Sequence, residues 1–321
     1  MTQTDSAQTD PTEILPTGRA FVLERDNVRA EIGSVAAVLR SLTVNGADLT
    51  LPTPDDRVPA MCNGIILSPW PNRVRAGRWM LDGEPQQLDI TEPVRGGALH
   101  GLLQFAEYEA TEQSPDAVTL AATIYPQHGW PFQVETWVRY ELEPDGLTVT
   151  HGARNLSAAR APYATGSHPY LKVGDAPIAE LQLTVPASTY FAVDERLDPT
   201  GELDVTGTPY DVRSPQRVGG LAFDTAFGAV EHADVANGRG DVAWLTAPDG
   251  SRTTLWQSTD WGYVQVFTTH EMAGPDGPID AIAIEPMTAP PDALNSGQGL
   301  VWLEQGETWE GSWGLRYAGG A

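Results

Sequence analysis

Cysteine is nearly missing from this 321-residue chain: the single Cys62 excludes an intrachain disulfide and gives no ground for an oxidising compartment. Positive charge is scarce too. Nineteen Lys and Arg face 43 Asp and Glu, a formal charge of −24. A field of that sign repels phosphate backbones and anionic lipid surfaces, and no basic block offsets it, so neither nucleic acid nor a membrane is expected as a partner. No run approaches the ~20 apolar residues of a membrane span. Residues 1–17 are polar and acidic, without the basic start and apolar stretch of a signal peptide. The expectation is a cytoplasmic protein with a disordered polar tail over residues 1–17 and a single domain over residues 18–321. Long segments of 3.6-residue periodicity are absent as well, which argues against a helical fold.

What is present speaks for strands. Apolar residues make up 41% of the chain, enough for a large core, and 32 Gly and 26 Pro are scattered without a repeat, implying many turns between short extended segments. Phe132–Glu143 alternates apolar and polar residues, with Phe132, Val134, Trp137 or its neighbours and Tyr140 on a buried side and one slip of phase. Further strands are expected at Ala117–Tyr125, Leu147–Arg154, Glu180–Val185, Thr253–Gln257, Tyr263–Thr268 and Thr308–Tyr317. Asn45-Gly46, Asp82-Gly83, Asp145-Gly146 and Asp249-Gly250 supply residues that tolerate the positive φ of tight hairpins. Ala192–Arg217, rich in Pro, Asp and Thr, reads as a loop excursion. The fold class is therefore all-β, with large antiparallel sheets packed face to face.

Six histidines are candidates for chemistry, and two sit in suggestive company. His100 lies in the glycine-rich Gly96–Gly101, and His168 in Thr165–Leu171, where Pro169 restricts it to extended geometry and Tyr170 follows. Each has a structural alternative as a hydrogen-bonded histidine. Glu285 ends Ile279–Pro286, a nearly continuous apolar run of the kind buried on both faces. A carboxylate there costs several kcal/mol unless paired, and such placement can poise a base; a strand-end glutamate entering solvent is the alternative. Arg73 follows a Trp-Pro-Asn turn, with Arg75 and Arg78 close behind; the three could grip a phosphate or remain solvated. Asp224 stands between aromatics in Phe223–Phe227. Ten tryptophans are many for this length, and aromatic rings stack on the apolar faces of sugars. No HxH, HExxH, Cys/His cluster, GxSxG elbow or phosphate-cradling glycine loop is present, so no metal, cofactor or nucleophilic serine is expected.

Taken together and in order, these segments resemble the aldose 1-epimerase (galactose mutarotase) family. The resemblance runs from about Phe21 to Tyr317 and rests on Asn72-Arg73 with the following Gly-Arg-Trp, Leu99-His100-Gly101, His168-Pro169-Tyr170-Leu171, Asp224, Tyr263–Thr268, Ile284-Glu285-Pro286, Pro290–Leu303 and the closing Gln305-Gly306-Glu307. It implies a β-supersandwich that interconverts the α and β anomers of a free aldohexose without metal or organic cofactor. It further implies Glu285 as general base at the C1 hydroxyl, His168 as general acid at the ring oxygen, and His100 as a hydrogen-bonding support. Asn72, Arg73, Tyr170, Asp224 and Gln265 would hold the sugar. The partner implied is a small-molecule monosaccharide, and the protein would be a monomer or homodimer.

One departure bears on substrate. Many relatives continue the Leu-His-Gly motif with an arginine, where this chain reads Leu102-Leu103-Gln104-Phe105. That counts against the related hexose-6-phosphate 1-epimerases, though Arg75 and Arg78 keep the phosphate reading open. A non-catalytic carbohydrate-binding protein on the same fold is the other alternative, and it has no need of an acid–base pair.

Overall fold

The computed structural model describes residues 15–320. Most of the tail expected over residues 1–17 lies outside the described residues; at its end Thr17 is buried, and its carbonyl accepts the Val35 N–H at 3.0 Å. The described residues form two large antiparallel sheets of ten and seven strands with smaller ribbons around them. The one α-helix among them is Ala293–Ser296, and no helix is long and apolar enough to cross a membrane.

Alternation explains the ten-stranded sheet. Val134–Glu143 buries every second residue without a slip, so Thr136 takes the inward position and Trp137 the outward one. The expected slip is absent for a physical reason. Thr136 satisfies its hydroxyl inside, against the Gly152 carbonyl at 2.9 Å and the Tyr163 hydroxyl at 3.0 Å, while Trp137 lies flat over Gly152, where a Cβ would meet its ring at 2.0 Å.

Asn45-Gly46 and Asp82-Gly83 take positive φ at both positions and close two-residue hairpins, as expected. Asp145-Gly146 does not: Gly146 already pairs with Glu143, so Pro144 and Asp145 make the turn. The Ala192–Arg217 excursion also contains a strand, Pro199–Asp204. It is an edge strand, paired on one side and mostly exposed, so it carries no alternation for a sequence reading to detect.

The seven-stranded sheet positions the site. We label its strands in chain order β1 (Ile66–Leu67), β2 (Gly166–Ser167), β3 (Ala187–Val193), β4 (Pro199–Asp204), β5 (Asp224–Val230), β6 (Tyr263–Gly274) and β7 (Gly277–Met287); across the sheet they run β4-β3-β5-β6-β7-β2-β1. Its inner face, with Phe227, Val264, Val266, Ile282 and Ile284, joins Val138, Tyr140, Val149, Leu255 and Leu315 of the ten-stranded sheet in one apolar cluster. Each fully buried aliphatic or aromatic side chain there contributes about 1.5–3 kcal/mol. The opposite face of the small sheet is where polar side chains collect.

Candidate active site

Strand β7 is buried on both faces from Ala281 onward. Because side chains alternate, Ile282 and Ile284 enter the core while Ala283, Glu285 and Met287 turn to the other face. Glu285 is 2% exposed. Register sets it opposite Gln265 on β6, and Gln265 opposite Ala226 on β5, with Asp224 one step along the same face.

His168 arrives from β2. Its N–H bonds the Ile65 carbonyl at 3.0 Å, and the Ile284 N–H bonds the Pro169 carbonyl at 3.2 Å, which lays the His-Pro-Tyr segment alongside β7. His168 Nε2 therefore stands 3.4 Å from Glu285 Oε1. Tyr170 stacks on the imidazole with ring centroids 5.4 Å apart, and its hydroxyl donates to the Met61 carbonyl.

His100 follows the short strand Ala98–Leu99, which pairs with Arg73–Val74. Its N–H donates to the Asn72 carbonyl at 2.9 Å, and the Asn72 N–H donates back to His100 Nδ1 at 3.2 Å. An Nδ1 that accepts leaves the neutral ring's proton on Nε2, so His100 offers a donor. The ring lies edge-on to His168 at 5.3 Å. The next residue must be glycine: Gly101 has φ +81°, and a Cβ there would lie 2.0 Å from the Ser68 carbonyl oxygen.

A polar chain links the remaining predicted residues. Asn72 Nδ2 donates to Gln265 Oε1 at 3.2 Å, Gln265 Nε2 donates to Asp224 Oδ1 at 2.6 Å, and Asn72 Oδ1 accepts the Arg73 N–H at 2.9 Å. The structure thus brings together Glu285, His168, His100, Asn72, Arg73, Tyr170, Asp224 and Gln265. Arg75 and Arg78 are not among them: Arg75 turns to Asp198 and Arg78 to Gln87.

Two residues of this neighbourhood escaped the sequence reading. Glu92 holds the Arg73 guanidinium in a fork, with Nε at 2.7 Å and Nη2 at 3.0 Å. Asp292, at φ +60°, donates its N–H to the Arg73 carbonyl at 2.7 Å and accepts the Arg75 N–H at 3.0 Å. Asp292 lies in the Pro290–Leu303 segment; for Glu92 no signal existed, since nothing local pairs it with an arginine 19 residues away.

Burial controls the electrostatics. It pushes Glu285 well above the usual carboxylate range, with the Asp224 charge adding and Arg73 opposing. Burial also draws His168 down to about 4 and His100 well below the usual imidazole range, the latter with help from His168 and Arg73. Burial thus disfavours the charged form of both groups. A proton passed from the carboxyl to the adjacent imidazole generates a carboxylate base and an imidazolium acid side by side. Burial, with the Glu285 and Glu92 charges adding and Arg73 opposing, pushes the Cys62 thiol up to about 12, away from the thiolate that acts as a nucleophile.

A metal is the other use for two imidazoles and a carboxylate. His100, His168 and Glu285 each place a donor atom within 4.8 Å of the others. The donor set does not suit one, because the Asn72 N–H occupies His100 Nδ1 and the proton on Nε2 removes the remaining lone pair.

An antiparallel β-sandwich presenting this imidazole–carboxylate pair on one sheet face is a galactose mutarotase-like fold. The GalM/aldose epimerase homologue from C. elegans superposes with a TM-score of 0.81 at 19% identity, covering 94% of this chain and 100% of that one. The galactose 1-epimerase from Lactobacillus acidophilus gives 0.75 at 20% identity, covering 94% and 95%. A model described as aldose 1-epimerase matches residues 19–316, and the chain belongs to that family. Among relatives by sequence, the uncharacterized protein YihR of Escherichia coli (strain K12) is 30% identical over 291 residues, 90% of each chain. Human galactose mutarotase is 30% identical over 177 residues, 53% of this chain and half of its own length.

Proposed function

We propose that the protein is an aldose 1-epimerase that interconverts the α and β anomers of a free aldose, with residues 18–321 acting as a single domain. The observation that carries this reading is the buried contact of His168 Nε2 with Glu285 Oε1 at 3.4 Å. Beside it, Glu285 Oε2 is buried without any protein partner, and a buried polar atom left unpaired calls for a ligand.

Glu285 takes the proton of the C1 hydroxyl as carboxylate. The O1 electron pair forms the C1 carbonyl, the bond from C1 to the ring oxygen breaks, and that oxygen takes the proton of His168. Rotation about C1–C2 presents the other carbonyl face, and the reverse transfers close the ring as the second anomer. His100 Nε2–H donates to the reacting oxygens. Asn72, Arg73, Asp224, Gln265 and Tyr170 hold the remaining hydroxyls and the ring. Each proton-transfer group contributes about 10²–10⁴ in rate, or roughly 3–5 kcal/mol of barrier.

Arg75 and Arg78, the residues that kept a phosphorylated sugar in view, are engaged with Asp198 and Gln87 and lend it no support. Polarimetry of freshly dissolved α-galactose and α-glucose tests the reading. Catalytic amounts of protein should accelerate the drift to equilibrium. Saturable sugar binding without acceleration would leave a binding protein, and preference for the 6-phosphates would replace the substrate class.

A further inference from the structure

The site face of the small sheet continues past the acid–base pair. Register aligns Glu285 with Gln265 and Gln265 with Ala226, and it pairs Phe191 on β3 with Glu202 on β4. The Tyr190–Phe227 pairing sets Phe191 beside Ala226, and Phe191 packs with Ala226, Met287 and Tyr263. Partners in register share a face, so Glu285, Gln265, Ala226, Phe191 and Glu202 form one line across five strands. At about 4.8 Å per strand, Phe191 stands about 14 Å from Glu285 and Glu202 about 19 Å, farther than a single pyranose reaches.

The far end of that line opens into a surface pocket of about 370 Å³. Phe191 and Pro291 give it apolar surface, and Thr200, Glu202, Ser296 and Gln298 rim it with hydroxyl, carboxylate and carboxamide groups. A sugar presents the matching pattern, an apolar ring face edged by hydroxyls. The Glu202 carboxylate uses Oε1 for the Thr189 hydroxyl, which leaves Oε2 to accept from a ligand. Asp292, also in the wall, ties the pocket to the site through the Arg73 carbonyl and the Arg75 N–H.

We propose that the substrate is a reducing saccharide of at least two units, its free C1 end at Glu285 and His168 and its second unit in the pocket of Phe191 and Glu202. This rests on the epimerase reading above. The arrangement is chemically consistent, because a glycosidic link at any carbon but C1 leaves ring opening of the reducing unit intact.

The test is the catalysed anomer exchange of lactose, maltose, cellobiose and melibiose against that of glucose, their common reducing unit, followed by polarimetry or exchange NMR. At least one disaccharide should show a kcat/KM at least tenfold above glucose. That advantage should fall to within threefold of unity in E202A/Q298A and in S296W, which fills the pocket, with the glucose rate unchanged. All three positions are exposed, so the fold is not at risk. Acceleration of glucose with no advantage for any disaccharide overturns the second-unit pocket and leaves the epimerase standing. An advantage that survives in both variants overturns it as well. Failure to accelerate any sugar overturns the epimerase reading and the pocket with it.

Discussion

Glu285→Gln separates the chemistry from the fold. The side chain is 2% exposed, Oε1 lies 3.4 Å from His168 Nε2 and Oε2 has no partner, so the amide fits the same space with no bond to lose other than that contact. In the mechanism we propose, two catalytic functions nevertheless go at once. The base disappears, and an amide N–H turned toward His168 holds Nε2 as an acceptor, sending the imidazole proton to Nδ1 and away from the ring oxygen. With each group contributing about 10²–10⁴, the expected loss in kcat is at least about 10³, near 4 kcal/mol of barrier. Because the acid is disabled together with the base, adding His168→Gln should cost less than a further tenfold. Stability should move the other way. Burial already pushes this carboxyl well above its usual range, so a neutral isostere removes a desolvation cost, and the melting temperature should hold or rise. Polarimetry gives the rate and calorimetry the melting temperature. A kcat within tenfold of the parent, or full additivity with His168→Gln, would refute the coupled acid–base pair.

Three further outcomes follow from particular contacts. Glu92→Gln loosens the fork on Arg73 without unfolding the strands around it, so KM for the sugar should rise about tenfold or more while kcat changes less; a fall in kcat with KM unchanged would show that Glu92 serves the transition state alone. Gly101→Ala forces a Cβ to within 2.0 Å of the Ser68 carbonyl oxygen at φ +81°, so urea unfolding should report a loss of at least about 2 kcal/mol, accompanied by a large fall in kcat as His100 is displaced. Acid should weaken the fold through its buried imidazoles. His151, bonded to Thr165 and Trp313, is drawn by burial to about 3, and His168 to about 4. The unfolded chain protonates near 6.5 and the folded one does not, so each removes about 2 kcal/mol between pH 6.5 and 5. Glu285, shifted upward, opposes this by binding its proton more tightly when folded. Urea midpoints at pH 7 and 5 should differ accordingly, and His151→Gln should flatten the difference; an unchanged slope would place that imidazole's folded pKa near its ordinary value.

Much of the protein was legible in its sequence wherever the determining physics is local. Alternation located the strand Val134–Glu143, and Asn45-Gly46 and Asp82-Gly83 marked hairpins because few residues accept positive φ. Glu285 stood out because a carboxylate inside an apolar run has to be compensated, and the compensation is there, in His168 and in a site rather than in solvent. What the sequence could not supply are the pairings that register makes between distant residues. Glu285 meets His168 across 117 positions because β7 and β2 are neighbours in the sheet, and Phe191 joins Gln265 on one face because two intervening ladders hold their registers. The proton position on His100 depends on a single backbone N–H from Asn72, and the orientation of Arg73 on Glu92. Residue types and turns are properties of neighbours along the chain; the distance between an acid and its base is a property of hydrogen-bonded ladders, and only the folded sheet sets it.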